Sequence, residues 1–262
     1  MALTYSTYLQ LDSILNSQKQ LSEGPEHDEM LFIIIHQAYE LWFKEILHEM
    51  DYLKSLLENK DISRSIHTMK RILTILKILV AQIDILETMT PIEFLSFRNR
   101  LESASGFQSA QFRELEICLG KRSAGMLNRT HFGENERKKI EQRYNEPTVW
   151  DAFIHYLSKT GYEIPEDELN RDVTKPIIAS QQIQSALINI YASDPITAQF
   201  CEFMVDLDEG FQEWRYRHVK MVQRTIGTKK GTGGSDGVQY LMTTLNQPFF
   251  PDLWEIRTEL KK

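Results

Sequence analysis

Cysteine is scarce in this chain, a strong charge of one sign is missing, and no apolar run is long. Cys118 and Cys201 are the only cysteines among 262 residues, and no Cys-x-x-Cys occurs. Neither a disulfide framework nor a zinc site is therefore expected to organise the fold. Thirty basic against thirty-seven acidic residues leave a formal charge of −7, which argues against nucleic acid as the main partner. No apolar run approaches the ~18 residues needed to span a membrane. The opening MALTYSTYLQLDSIL has neither a basic n-region nor a continuous apolar h-region, so no secretory signal is expected. Internal repeats and low-complexity tracts are also missing, and alternating strand patterns are few. These absences point to a cytoplasmic protein with no membrane partner.

What remains is helical periodicity, over a length that can bury a full core. An amphipathic helix rich in tyrosine is expected over 4–17, with Tyr5, Tyr8, Leu9, Leu11 and Leu15. Long helices follow over about 28–58 and 62–88. Thr90-Pro91-Ile92-Glu93 reads as a helix start, with Thr90 as cap, Pro91 in the first turn and Glu93 closing a capping box. Ser105-Gly106 breaks the chain before FQSAQFRELEICL, and Gly120 ends that helix. A polar stretch, 121–175, is expected to form an accessory region with helices near 134–144 and 147–159 and a loop through YEIPEDELN. Further helices are expected over 176–192 and 195–226, then a glycine loop at 227–237, a short helix and a proline-bounded tail. The fold class is all-α, a single helical-bundle domain over 1–262.

The motifs for metals and nucleotides are incomplete. Glu45-x-x-His48 is the unit that di-iron bundles use twice, but no second copy exists, and His48 reads as a surface residue. HExxH is absent. GTGGSDG is neither a Walker A nor a GxGxxG, because Asp236 takes the third glycine position and a helix leads into it. Its small residues still allow backbone N–H groups to close around a polar ligand, and Thr232 adds a hydroxyl.

Two histidines stand out. His36 follows six consecutive apolar residues, Met30 to Ile35. Burying an imidazole without a partner costs free energy, so His36 needs a protein partner or a ligand. Phe32 and Glu40 lie one turn either side, and spacing leaves a His36–Glu40 contact open. Around His218, Phe211, Trp214, Met221 and Val222 share one helical face, flanked by Arg215, Arg217, Lys220 and Arg224. Such a face suits a flat, apolar, anionic cofactor, with imidazole to iron, aromatics to a porphyrin and arginines to propionates. No CxxCH is present, so a haem would be held without thioether links. A core histidine bonded to a carbonyl is the alternative. Arg98 lies on an apolar helix face one turn after Phe94, and an ordinary Arg–carboxylate pair is its alternative.

Five blocks carry a resemblance: TYSTYLQLDSIL, HDEMLFIIIHQAYELWFKEI, ETMTPIEFLSFR, SASGFQSAQFRELE and RHVKMVQRTIGTKKGTGGSDGVQYL. Together, and in this order, they resemble the tryptophan 2,3-dioxygenase family over most of 4–120 and 200–254. The middle, 121–199, matches weakly and looks short. The resemblance implies an all-helical homotetramer carrying one non-covalent haem b per subunit, which cleaves the indole C2–C3 bond of L-tryptophan with O₂ to give N-formyl-L-kynurenine. It makes His218 the proximal iron ligand, with Trp214, Ser105 and Gly106 around the haem. His36 becomes the distal catalytic histidine, Phe32 and Phe94 pocket walls, and Arg98 the partner of the substrate carboxylate. Thr232 would close on the substrate's amino-acid end. Tyr5, Tyr8 and Leu9, within an N-terminal segment 1–20, would complete the neighbouring subunit's site. Phe94 stands where some relatives carry tyrosine. Two alternatives accompany this expectation: a monooxygenase of a substituted indole in the same superfamily, and a non-catalytic haem sensor with His36 as second iron ligand. Arg98 and Thr232 favour a free amino acid as substrate.

Overall fold

The computed structural model describes residues 3–24, 26–127, 131–229 and 238–260, and among these there is no strand. Two short helices open the chain, α1 (Tyr5–Leu9) and α2 (Leu11–Leu15), in place of the single helix expected there. Gln10 separates them. Its backbone is left-handed, φ 54° and ψ 38°, and its side-chain amide donates to the Thr7 carbonyl at 2.6 Å, which closes α1. Neither helix buries a residue. The segment after α2 is tied down by Glu29, whose carboxylate accepts from the backbone N–H groups of Leu21 and Ser22 at 2.7 and 3.0 Å.

The frame is built by α3 (Asp28–Glu58), α4 (Ile62–Leu86) and, later in the chain, a helix of 32 residues, Pro195–Ile226. α4 packs against both of the others. This explains why it buries Met69, Ile72, Leu76, Leu79 and Ile83, which face more than one neighbour. Between α4 and the long C-terminal helix come α5 (Pro91–Arg98), α6 (Ala110–Cys118), α7 (Glu134–Tyr144), α8 (Val149–Lys159), the single turn α9 (Glu166–Leu169) and α10 (Gln181–Ser193). The long helix is α11. It is followed by α12 (Val238–Met242) and α13 (Pro251–Glu255).

Local chemistry sets several boundaries. Thr90 Oγ1 accepts from the Glu93 N–H at 3.3 Å, and Glu93 accepts from the Thr90 N–H at 2.6 Å, the reciprocal cap expected of that stretch. Asp194 starts α11 by accepting from the N–H groups of Ile196 and Thr197 at 3.2 and 3.0 Å. α10 begins at Gln181, five residues later than expected, because Asp252 of α13 captures the Ser180 N–H at 2.7 Å. Near the middle of α11, Asp208 is fully buried and gathers the chain's return. Its Oδ2 accepts from the N–H groups of Phe249 and Phe250 and from Trp254 Nε1 at 2.8, 3.1 and 3.0 Å. No helix among the described residues is long and apolar enough to cross a membrane.

Candidate active site

Residues from α3, the end of α4, α5, the 104–109 connection, α6 and α11 line a cavity of about 260 Å³, with Leu241 and Thr244 also on its wall. His36 and His218 both line it. His36 donates from Nδ1 to the Phe32 carbonyl one turn earlier, 2.7 Å away, and its ring lies 4.1 Å from that of Phe32. A carbonyl can only accept, so this bond fixes the proton on Nδ1 and leaves the Nε2 lone pair as an acceptor. Removal from water lowers the His36 pKa, although the Phe32 carbonyl and the nearby Glu40 oppose the shift. The histidine thus has a protein partner and also faces the cavity, two roles that the sequence set as alternatives. Glu40 is not that partner, since its carboxylate is held by Gln111 Nε2 at 2.8 Å.

His218 makes no hydrogen bond among the described residues. Its ring lies parallel to that of Trp214, 5.2 Å between centroids with a 2° interplanar angle. Trp214 is held in turn by Phe112 at 4.9 Å and by Tyr39 and Phe43 at 6.3 and 6.4 Å. Burial, with a smaller contribution from positive charge on His36, brings the His218 pKa down to about 4. At neutral pH it is an uncharged imidazole with no hydrogen-bond partner among the described residues, the state that a metal requires of a histidine ligand.

Phe32, Phe94 and Arg98 line the same cavity, with the Phe32 and Phe94 rings 5.9 Å apart. Ser105 and Gly106 line it as well. Ser105 Oγ accepts from the Phe107 N–H at 3.3 Å, which turns the chain there. A Cβ added to Gly106 would meet no atom within 4 Å, so the glycine leaves open space along the cavity wall. Tyr5, Tyr8 and Leu9 are not among the residues lining this chain's cavity, and Tyr5 and Tyr8 are more than two-thirds exposed. Thr232 lies outside the described residues.

The basic residues around His218 divide differently from the expectation. Arg217 pairs with Asp84 and Glu87, and Arg224 with Glu87 at 2.9 Å, so both point to α4. Arg215 alone of the four lines the cavity. It is joined there by Arg113, Glu116 and Lys121, which sequence reasoning missed. The one available signal was FRELE, which sets Arg113 and Glu116 one helical turn apart.

A family model described as Tryptophan 2,3-dioxygenase matches residues 1–164 and 177–260. The chain is 57% identical over 260 residues to the tryptophan 2,3-dioxygenase of Herpetosiphon aurantiacus, covering 99% of each. It is 50% identical to that of Anaeromyxobacter sp. (strain K), over 99% of this chain and 97% of the other. Identity to that of Bacillus thuringiensis subsp. konkukian is 41%, over 98% and 93%. The relatives align over nearly the whole of both chains, so the middle is not short relative to them. Only 165–176 and the last two residues fall outside the family model. With the family model and the full-length relatives in agreement, this chain belongs to the tryptophan 2,3-dioxygenase family.

Proposed function

We propose that this protein is a haem-dependent dioxygenase that opens the indole C2–C3 bond of L-tryptophan with O₂, giving N-formyl-L-kynurenine, the first step of the kynurenine route of tryptophan degradation. The observation that carries the reading is one cavity lined by an unbonded, neutral His218, an acceptor nitrogen on His36, two phenylalanine walls and Arg98. Both oxygen atoms end in the product, one on each carbon of the broken bond, so no net reductant is consumed.

Haem b fits the residues present. His218 is free to ligate iron, Trp214 backs its ring, and the bare Gly106 leaves room along the wall. His218 would hold the iron, with Trp214, Ser105 and Gly106 around the ring. When bound, haem supplies ferrous iron with an open position for O₂.

The remaining work belongs to the chain's own side chains. Phe32 and Phe94 offer apolar faces to a planar indole. His36 accepts the indole N–H at Nε2, which orients the ring and satisfies a desolvated donor. Arg98 binds the substrate carboxylate, for which a planar guanidinium is better matched than a lysine. By the family resemblance, Thr232 is assigned to the substrate's amino-acid end. We assign α1 and α2 to a neighbouring subunit's site in a homotetramer. Leu3, Tyr5, Tyr8 and Leu15 are each more than two-thirds exposed there, and a cluster of this kind is uncommon on a free surface. Two buried free cysteines suit a cytoplasmic location.

The test is reaction of the reduced, haem-loaded protein with L-tryptophan under ¹⁸O₂, read by mass spectrometry. Two labels in a product of N-formylkynurenine mass are expected. A single label, or product only with stoichiometric reductant, would move the protein to monooxygenase chemistry. No product, together with a six-coordinate ferrous spectrum, would leave a haem sensor.

A further inference from the structure

Three cations converge on one carboxylate in the cavity wall. Arg113 donates to Glu116 from one turn earlier on α6, Lys121 Nζ donates at 2.9 Å from just beyond that helix, and Arg215 Nη2 reaches Glu116 Oε1 at 3.4 Å from α11. The Glu116, Arg113 and Arg215 side chains are 4%, 6% and 5% exposed, and that of Lys121 is 22% exposed. Burial alone would raise the Glu116 pKa, but Arg113, Lys121 and Arg215 together outweigh it and hold the carboxyl below its ordinary value. Glu116 is therefore ionised, and three positive groups share one negative one.

Within this cluster the surplus is two positive charges, eased at Arg215 by the buried Asp208 carboxylate, in a place where water screens poorly and uncompensated charge is costly. Glu40, the other carboxylate on the cavity wall, is engaged by Gln111. Arg215 is fixed further by donating to the Thr244 and Gln247 carbonyls at 3.3 and 3.2 Å and by lying over the Phe249 ring. Arg113 Nε is buried with no hydrogen-bond partner. Charge surplus and unbonded donor both call for an anion.

We propose that Glu116 is a positioning residue, holding Arg113, Lys121 and Arg215 as a preformed clamp for the two carboxylates of a dianionic cavity ligand. The ligand's identity rests on the haem reading above, which makes these carboxylates the porphyrin's propionates. The two things a buried glutamate can do here have opposite signatures. A mere counter-charge weakens the clamp, so Glu116→Gln would tighten a dianion. A positioning residue orders the cations, so Glu116→Gln loosens the dianion although the net positive charge has risen.

The experiment loads the full-length protein with haem or with haem dimethyl ester, whose propionates are capped, and follows transfer to excess apomyoglobin. Wild-type protein should release the ester roughly 10- to 100-fold faster than haem, the range for lost charge-assisted hydrogen bonds. Glu116→Gln should release haem about 10-fold faster than wild type, with the ester's rate unchanged. Glu116→Asp keeps the charge and shortens the reach, so faster haem release is expected again, which gives a second reading should the Gln variant not fold. Slower or unchanged haem release from either variant would overturn the positioning role. Equal release of haem and ester by the wild type would overturn the clamp while leaving the haem assignment standing. Failure of the wild type to take up haem would remove both.

Discussion

His36 has one ring nitrogen committed and one open, and this division sets what its substitution should do. The Phe32 carbonyl holds the proton on Nδ1, and desolvation keeps the ring neutral to lower pH than a free histidine. Protonation would remove the acceptor at Nε2. Apparent tryptophan affinity is therefore expected to be flat through neutral pH and to weaken only as pH falls below the ordinary histidine range, near 6.5. Steady-state kinetics of wild type and His36→Ala across pH check this. The alanine variant should lose the acid limb and retain slow turnover, and complete inactivity with substrate still bound would make His36 an obligate base. Arg98→Ala should cost about 2–5 kcal/mol of tryptophan binding, the range for leaving a desolvated charge unpaired. An unchanged apparent affinity would remove Arg98 from the site. Both histidines were legible as anomalies, an imidazole amid apolar residues. Their states were not, because each depends on a neighbour's ring or carbonyl.

At the scale of the element, short-range chemistry carried over and long-range pairing did not. The Thr90–Glu93 cap lies within four residues, so its pattern could be read directly. Thr90→Ala should cost about 1 kcal/mol, measured by urea denaturation. The partners of Arg217 and Arg224, by contrast, sit at the C-terminal end of α4, in Asp84 and its cap Glu87, more than 125 residues away. No spacing rule links them. The late start of α10 was hidden for the same reason, since the carboxylate that takes the Ser180 N–H belongs to α13. Gly210 marks where α11 meets α4. A Cβ there would lie 2.6 Å from Leu76 Cδ2, and Leu76 is itself buried and cannot swing clear. Gly210→Ala is therefore expected to destabilise by about 1–2 kcal/mol, overpacking outweighing the gain in helix propensity. A raised melting temperature would show that the crossing has slack.

Over the whole molecule, α13 closes back on α10 through a carboxyl that titrates within reach of neutral pH. Asp252 is 1% exposed, and burial raises its pKa to about 6, with Glu255 and Glu168 adding to the shift. A carboxyl raised in the folded state stabilises most below its unfolded value near 3.9, and that contribution is lost as pH rises through about 6. The window is thus pH 4 to 6, with up to about 3 kcal/mol at stake. Asp252→Asn should flatten this part of the stability curve relative to wild type, as read by denaturant titrations at several pH values. An unchanged slope would place the titration elsewhere. Trp214 ties this scale back to the site. It is the only tryptophan on the cavity wall, lying flat against His218. A porphyrin bound in this cavity, as proposed above, would quench the Trp214 emission by energy transfer. The protein therefore carries its own optical gauge, one that dims as the cavity fills and needs no substrate to be read.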